Sequence, residues 1–171
     1  GAEWNKSNGK TNKPSSGAWG LSDLVKVMEG AAQVLKSNPD PELEKRMDQI
    51  ISYIAGSQQE DGYLYISHTA GNPIERMAGN APYKMLITSC EFYNIGHLYE
   101  AAAAHARATG KTNFLEVAEK SARHVNKVVF EGDPNYNNGK PLMQPAGHQG
   151  ICLGLVKMYN QTGDEFYLEL S

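Results

Sequence analysis

Residues 91–116 read EFYNIGHLYEAAAAHARATGKTNFLE, a sequence that holds an apolar helical run, a Thr-Gly pair and the start of a second helix. Because few polar positions interrupt the run, the helix over about Glu91–Thr109 is predicted to be buried on most sides. Gly110 suits the left-handed conformation that ends many helices. From Asn113 to about Val129 the apolar residues form one stripe with charged residues outside it, which predicts an outer helix with one face in water.

The same pattern returns 53 residues later, since Thr162-Gly163 repeats Thr109-Gly110. The residues that follow also match, with Phe114-Leu115-Glu116 corresponding to Tyr167-Leu168-Glu169. This period is longer than the ~34 residues of common helical repeats. A repeated hairpin whose helices alternate between buried and amphipathic predicts two concentric layers. The sequence therefore predicts an all-α fold, an α/α toroid or a segment of one.

Further helices fit this alternation. The first begins near Leu21, and its apolar residues recur every three or four positions. Asp40 and Pro41 supply an N-cap and a first-turn proline for a second, amphipathic helix. A fifth helix, over about His148–Gln161, is apolar almost all round and is predicted to be an inner helix. A sixth begins at Asp164.

The composition is that of one folded domain. The chain has 171 residues, 40% of them hydrophobic, and 16 basic against 19 acidic residues leave a formal charge of −3. This near balance argues against nucleic acid or an anionic membrane surface as a partner, and no apolar run reaches the roughly 18 residues of a membrane span. Residues 1–19 are predicted to be flexible because they are polar and rich in Gly and Ser, and residues 20–171 to form the domain. Cys90 and Cys152 lie far apart, without the spacing of a disulfide framework or a metal site.

Two long connections distinguish the two ends of the predicted toroid. They run from about Gly56 to Cys90 and from about Glu131 to Gly147, whereas the turns from inner to outer helices are tight. Long loops in a compact domain are usually functional or disordered, and these contain aromatic, histidine and amide residues that disordered linkers avoid. A site is therefore predicted where these connections meet the first turns of the inner helices.

Four residues at that end are candidates for binding a ligand. Tyr93 and His97 are four residues apart and share a helix face, and His148 occupies the matching place in the next repeat. A single helix histidine is as readily structural as functional, but two at equivalent positions favour function. Gln59, in the first connection, offers an amide for sugar hydroxyls.

The residues after Gln59 allow two interpretations. Asp61-Gly62 followed by the alternating residues Tyr63–Ile66 predicts a turn that leads into a brief strand. Its tyrosines either present a flat face to a sugar ring or anchor the loop on the helices, and anchoring is favoured for Tyr65. Glu91 and Glu100 offer carboxylates for acid–base chemistry, but their spacing identifies no pair.

These segments together resemble the N-terminal half of the catalytic domain of the β-L-arabinofuranosidase family, glycoside hydrolase family 127. The likeness extends from about Gly20 to the last residue, and the order and spacing of the motifs carry it. They are Ser22–Gly30, Gln59–Leu64, Tyr93–Ala101, Ala108–Lys111, Pro145–Gln149 and Tyr159–Asp164.

The resemblance implies an (α/α)6 barrel, of which this chain would form about half, followed by β-sandwich domains. It implies an enzyme that removes L-arabinofuranose or a related plant-glycan sugar with retention, using a cysteine nucleophile on zinc and a glutamate as general acid/base. Those residues are expected beyond Ser171, and neither Cys90 nor Cys152 matches them. What carries over to this chain is the sugar-contacting side, with His97 and His148 as the best matches and Gln59 as a weaker one.

We therefore expect a segment of a glycoside hydrolase that binds carbohydrate, contains no zinc site of its own and is inactive alone. Exposed apolar faces of an incomplete ring predict self-association or marginal stability. Two alternatives stay open at this point. One is a polysaccharide lyase or unsaturated-uronide hydrolase on the same toroid, and the other is a non-enzymatic helical scaffold that binds a protein through its concave face.

Overall fold

The structure, a computed structural model, describes residues 20–69 and 75–171. The segment 1–19, predicted to be flexible, lies outside the described residues. Within the described ranges the chain is helical and contains no strand. The principal helices are α1 (Gly20–Ser37), α2 (Pro41–Ser57), α3 (Glu91–Thr109), α4 (Asn113–Asn126), α5 (Ile151–Thr162) and α6 (Glu165–Leu170).

The helices form an inner row and an outer row. In the inner row α3 lies between α1 and α5 and packs against both of them. Most of α3 is buried, including Leu98 and Tyr99, whereas α4 buries one stripe that contains Phe114 and Val125. The outer helix α4 packs on α3 and α2, and α6 packs on α5. This arrangement confirms the predicted all-α toroid segment with alternating inner and outer helices.

Two glycines set the distance between α3 and α5. A Cβ atom on Gly154 would lie 2.3 Å from the carbonyl oxygen of Gly96, and one on Gly96 would lie 2.4 Å from the carbonyl carbon of Gly150. Real Cβ atoms do not approach other atoms so closely, so these helices touch through their backbones. The central pair of inner helices is therefore in close contact near the start of both.

The repeat recognised in the sequence is also a repeat in hydrogen bonding. Gly110 and Gly163 end α3 and α5 with φ angles of +74° and +71°, and each amide donates to the carbonyl four residues earlier at 2.8 Å. The Thr109 and Thr162 hydroxyls each donate to the carbonyl four residues earlier, again at 2.8 Å. The turns from inner to outer helices are thus nearly identical, as their sequences predict.

Among its described residues, the first long connection includes three short helices within otherwise irregular chain. It contains the single-turn helices Ile66–Thr69, Glu75–Ala78 and Leu86–Ser89. The prediction of a brief strand after Asp61-Gly62 is wrong. Among the described residues no segment pairs with Tyr63–Tyr65, and the tyrosine rings of this stretch are buried.

The second long connection begins with a π-helical turn, Lys127–Glu131, and includes a 3-10 turn, Asn137–Gly139. It extends further than the sequence predicts, since α5 begins at Ile151 and not at His148. The segment before α5 is bonded to the first connection, since the Gly147 amide donates to the Leu86 carbonyl at 3.2 Å. His148 therefore lies on the connection, three residues before α5. Among the described residues, no helix combines the length and apolar character that crossing a membrane requires.

Candidate functional site

Three of the four predicted site residues come together at one end of the inner row. The rings of Tyr93 and His97, one turn apart on α3, stand perpendicular with their centroids 4.5 Å apart. The His148 ring approaches Tyr93 from the second connection, with 5.7 Å between centroids. Tyr93 and His97 are partly buried and His148 is exposed. We call these three residues the Tyr93 cluster. Tyr93 and His97 are partly covered by the protein, whereas the side formed by His148 is accessible to a ligand.

A lysine from the neighbouring inner helix completes this cluster. Lys26 on α1 donates from Nζ to the Tyr93 hydroxyl at 2.5 Å, and the same nitrogen lies 4.6 Å from the centre of the Tyr93 ring. Both contacts hold the tyrosine, so its ring orientation is fixed from α1 as well as from α3. Sequence reasoning missed Lys26 because its role depends on which face of α1 meets α3.

Behind His97 lies a charged network that joins all three inner helices. The His97 Nδ1 atom is 3.0 Å from Oε1 of the buried Glu100. Glu100 forms an ion pair with Lys157 of α5, and Lys157 also pairs with Glu29 of α1 at 2.9 Å. Each carboxylate thus has a partner, and the network braces the imidazole from behind.

The charges in this network follow from burial and pairing. Burial lowers the pKa of His97, and the neighbouring Glu100 carboxylate opposes that shift only in part. For Lys157, burial disfavours the charge, but hydrogen bonds to Glu100 and Glu29 outweigh it and raise the pKa. A neutral His97 that carries its proton on Nδ1, the nitrogen 3.0 Å from Glu100 Oε1, keeps its lone pair on Nε2. The histidine is then a hydrogen-bond acceptor at neutral pH.

The carboxylate of Glu91, at the start of α3, anchors the first connection. It accepts hydrogen bonds from the Tyr63 hydroxyl at 2.6 Å, the Tyr83 amide at 3.0 Å and the Ser89 hydroxyl at 2.7 Å. Burial raises its pKa, although these donors act in the opposite direction. The Tyr65 hydroxyl donates to the Ser89 carbonyl. Both tyrosines are buried and anchor the loop, so the interpretation that they stack on a sugar is wrong.

Gln59 is not part of the Tyr93 cluster. Its backbone closes the turn before Tyr63 by a 3.0 Å hydrogen bond to the Tyr63 carbonyl, and its side chain is exposed. Within residues 20–69 and 75–171, no hydrogen bond joins the Gln59 side chain to Tyr93, His97 or His148. The structure thus unites three of the four candidates and places the fourth on a turn of the first connection.

The described residues do not fit the zinc centre that the resemblance implies. In the described part of the chain, no three His, Cys, Asp or Glu side chains gather in a way that could hold a metal ion. The two cysteines lie on different elements, with Cys90 buried before α3 and Cys152 exposed on α5.

Comparison with known proteins supports a specific family. Residues 4–171 match the family described as "Beta-L-arabinofuranosidase, GH127 catalytic domain". A non-reducing end β-L-arabinofuranosidase of Bifidobacterium longum subsp. longum is 36% identical over 151 residues, which are 88% of this chain and 22% of that protein.

Solved structures agree with this match. A GH127 β-arabinofuranosidase is 37% identical with a TM-score of 0.82, over 93% of this chain and 24% of that one. The Ara127N β-L-arabinofuranosidase of Geobacillus stearothermophilus T6 is 36% identical with a TM-score of 0.77, over 98% of this chain and 25% of that one. This chain therefore spans about a quarter of the length of these relatives. It belongs to the β-L-arabinofuranosidase family, glycoside hydrolase family 127.

Proposed function

We propose that this chain forms a sugar-binding wall of a β-L-arabinofuranosidase and that Tyr93, His97 and His148 contact an L-arabinofuranose unit. The observation that carries the proposal is the convergence of both histidine rings on Tyr93. The relatives named above are β-arabinofuranosidases, which supports this sugar as the ligand. Gln59, which lies outside this cluster, would contact parts of the ligand that extend beyond the terminal sugar.

Each side chain in the cluster has a property that suits a furanose. The Tyr93 ring supplies a flat apolar face for the sugar's C–H groups, and its hydroxyl is held by Lys26. His97 accepts a hydrogen bond from a sugar hydroxyl at Nε2, because Nδ1 faces Glu100. His148 is exposed and can donate or accept. A few placed polar groups around an aromatic surface are typical of small-molecule sites.

We further propose that the nucleophile and the general acid/base are supplied by residues outside this chain. The contacts that the Glu91 and Glu100 carboxylates on α3 already make support this proposal. Glu91 already accepts three hydrogen bonds within the fold, and Glu100 is paired with Lys157. Retaining glycosidases need two carboxyl groups, or an equivalent nucleophile and acid, on either side of the scissile bond. In this proposal the zinc-bound cysteine of the family also lies outside the chain.

The proposal is tested in the full-length encoded protein with a nitrophenyl β-L-arabinofuranoside as substrate. His97→Ala and His148→Ala should each lower kcat/KM at least about tenfold, because each removes a hydrogen bond to the sugar. The control is Gln33→Leu, which replaces an exposed polar residue of α1 outside the cluster. Unchanged kcat/KM in both histidine variants would overturn the proposal.

A second arm concerns residues 1–171 by themselves. They should bind L-arabinose without releasing nitrophenol from the same substrate. Measurable turnover by this chain alone would show that its own residues carry the chemistry. The family assignment leaves the lyase and protein-scaffold alternatives without a supporting observation.

A further inference from the structure

A cavity lies between the two long connections, and none of the residues that line it belongs to the Tyr93 cluster. Its volume is about 460 Å³. One wall is formed by residues 81–84 of the first connection, and the other by residues of the second connection between Pro134 and Gln144. We call this cavity the loop cleft. Its lining is mainly polar, unlike the apolar cavity between α1 and α2.

The loop cleft presents amides that the fold does not use. Among the described residues, no hydrogen bond involves the side chains of Asn135, Asn138, Gln144 or Lys84. By contrast, the Asn137 amide in the same wall donates to two backbone carbonyls at 3.1 Å each. Three amides and one ammonium group are thus available to a ligand that offers hydroxyls.

Backbone strain is concentrated at the same place. Tyr83, Asn137 and Asn138 line the loop cleft with φ angles of 58°, 44° and 56°. Only one other residue besides glycine, Cys90, has a positive φ angle in the part of the chain that the structure describes. Asparagine tolerates this region, but a bulky residue such as tyrosine is an outlier there. Strain of this kind persists where the surroundings impose it, and it is typical of ligand sites.

Both walls of the loop cleft are held in place. The strained Tyr83 donates its amide to the buried Glu91 carboxylate. In the opposite wall the Tyr136 hydroxyl donates to Asp61 at 2.5 Å, and Asp133 pairs with Lys127 at 2.6 Å. The unused amides therefore project from a braced backbone, and a ligand would not have to order the loop.

The loop cleft is close to the Tyr93 cluster along the chain. Gln144 precedes His148 by four residues, so their Cα atoms are at most about 14 Å apart. The bond from Gly147 to Leu86 ties this segment to the first connection beside Tyr83 and Lys84. A sugar chain that starts at the Tyr93 cluster can reach the loop cleft with the units that follow its terminal residue.

We propose that the loop cleft binds the second and third sugar units of a neutral oligosaccharide whose terminal L-arabinofuranose lies against Tyr93, His97 and His148. This inference rests on the proposed function. Side-chain amides pair well with sugar hydroxyls because each offers both donors and an acceptor. The cleft thus makes the protein prefer oligosaccharides over single arabinofuranosides.

The test compares substrates of different length in the full-length encoded protein. We use a nitrophenyl β-L-arabinofuranoside and L-arabinofuranosyl di- and trisaccharides, and we determine KM and kcat for each. The double variant Asn138→Gly, Gln144→Leu removes two amides, and glycine keeps the backbone conformation of position 138. Gln33→Leu on α1 is the matched control for loss of an exposed amide.

The variant should raise KM for the oligosaccharides roughly tenfold, while the nitrophenyl substrate keeps its KM and kcat. Equal effects on all substrates, or none on the oligosaccharides, would overturn the assignment of the loop cleft. If the wild-type protein cleaves the nitrophenyl substrate but its KM is no lower for the oligosaccharides, the loop-cleft inference fails and the proposed function stands. If the wild-type protein neither binds nor cleaves any of these sugars, the proposed function itself fails.

Discussion

The role proposed for His97 depends on which of its ring nitrogens carries the proton. The Oε1 atom of Glu100 lies 3.0 Å from Nδ1, and Glu100 also forms an ion pair with Lys157. The Glu100 carboxylate also raises the pKa of His97 against the lowering effect of burial. In the proposed function Glu100 is therefore a positioning residue, since it would act on the sugar only through the histidine.

Replacing Glu100 with glutamine should shift the acid limb of the kcat/KM profile to lower pH. The negative charge of Glu100 raises the pKa of His97, so its loss lowers this pKa further. The imidazole then stays neutral to more acidic pH. We also expect kcat/KM at neutral pH to fall about tenfold, since the ring is held less firmly.

The measurement is a pH–rate profile of the full-length encoded protein with a nitrophenyl β-L-arabinofuranoside. Glu42→Gln, an exposed carboxylate on α2, is the control. A lower rate with an unmoved acid limb would mean that Glu100 only supports the fold.

At the scale of elements, the contact between α3 and α5 determines how the inner row is spaced. Gly154→Ala should destabilise the protein by about 2–3 kcal/mol, because its Cβ has no room against the Gly96 carbonyl. Gly30→Ala in α1 is the matched control, since a Cβ there meets nothing within 4 Å. It should stabilise by about 0.5–1 kcal/mol.

Urea denaturation of both variants, followed by circular dichroism, checks this prediction. Equal stabilities for the two variants would show that α5 moves away from α3 at little cost. The close backbone contact would then not be a constraint on the fold.

The elements were predictable where local chemistry determines them. Asp40 accepts from the amides of Glu42 and Leu43 at 3.0 and 3.1 Å, as its N-cap position predicts. The Thr-Gly pairs end α3 and α5 with the same hydrogen bonds. In each case the residues involved are neighbours in sequence, so the pattern contains all of the necessary information.

Prediction was poorer where distant residues determine the outcome. The segment before α5 bonds to Leu86 through Gly147, and Tyr63 and Tyr65 are buried where a strand was predicted. The candidate site divides in the same way. Tyr93 and His97 share a helix face and could be paired from sequence, but Lys26, Glu29 and Lys157 join the site only through the rotation and packing of α1 and α5. No spacing in the sequence encodes those orientations.

At the scale of the whole molecule, both flanks of the inner row expose apolar side chains, as far as residues 20–69 and 75–171 show. Val27 and Val34 on α1 are 71% and 52% exposed, and Leu153 on α5 is 56% exposed. Exposed apolar side chains on one helix face, such as Val27 and Val34 two turns apart, favour association, because their burial removes apolar surface from water. The self-association predicted from the sequence thus remains a prediction, now with named residues.

Residues 1–171 should show a sedimentation coefficient that rises with protein concentration. Val27→Lys combined with Val34→Lys should weaken this dependence, since it places charges on the open face of α1. Tyr53→Lys on α2, where the tyrosine is 66% exposed but lies in the outer row, is the matched control. A wild-type chain that sediments as a monomer at every concentration would contradict the prediction.

The bond between Gly147 and Leu86 has a consequence for how this molecule can diverge. A Cβ at position 147 would lie 1.8 Å from the Ile87 carbonyl oxygen, so the backbones of the two long connections are in direct contact at this point. His148 adjoins this contact on one connection, and Tyr83 and Lys84 lie close to it on the other. Insertions or substitutions that reshape one connection should consequently be inherited together with compensating changes in the other. New sugar preferences would then arise by paired replacement of the two connections, while the helices beneath them stay constant.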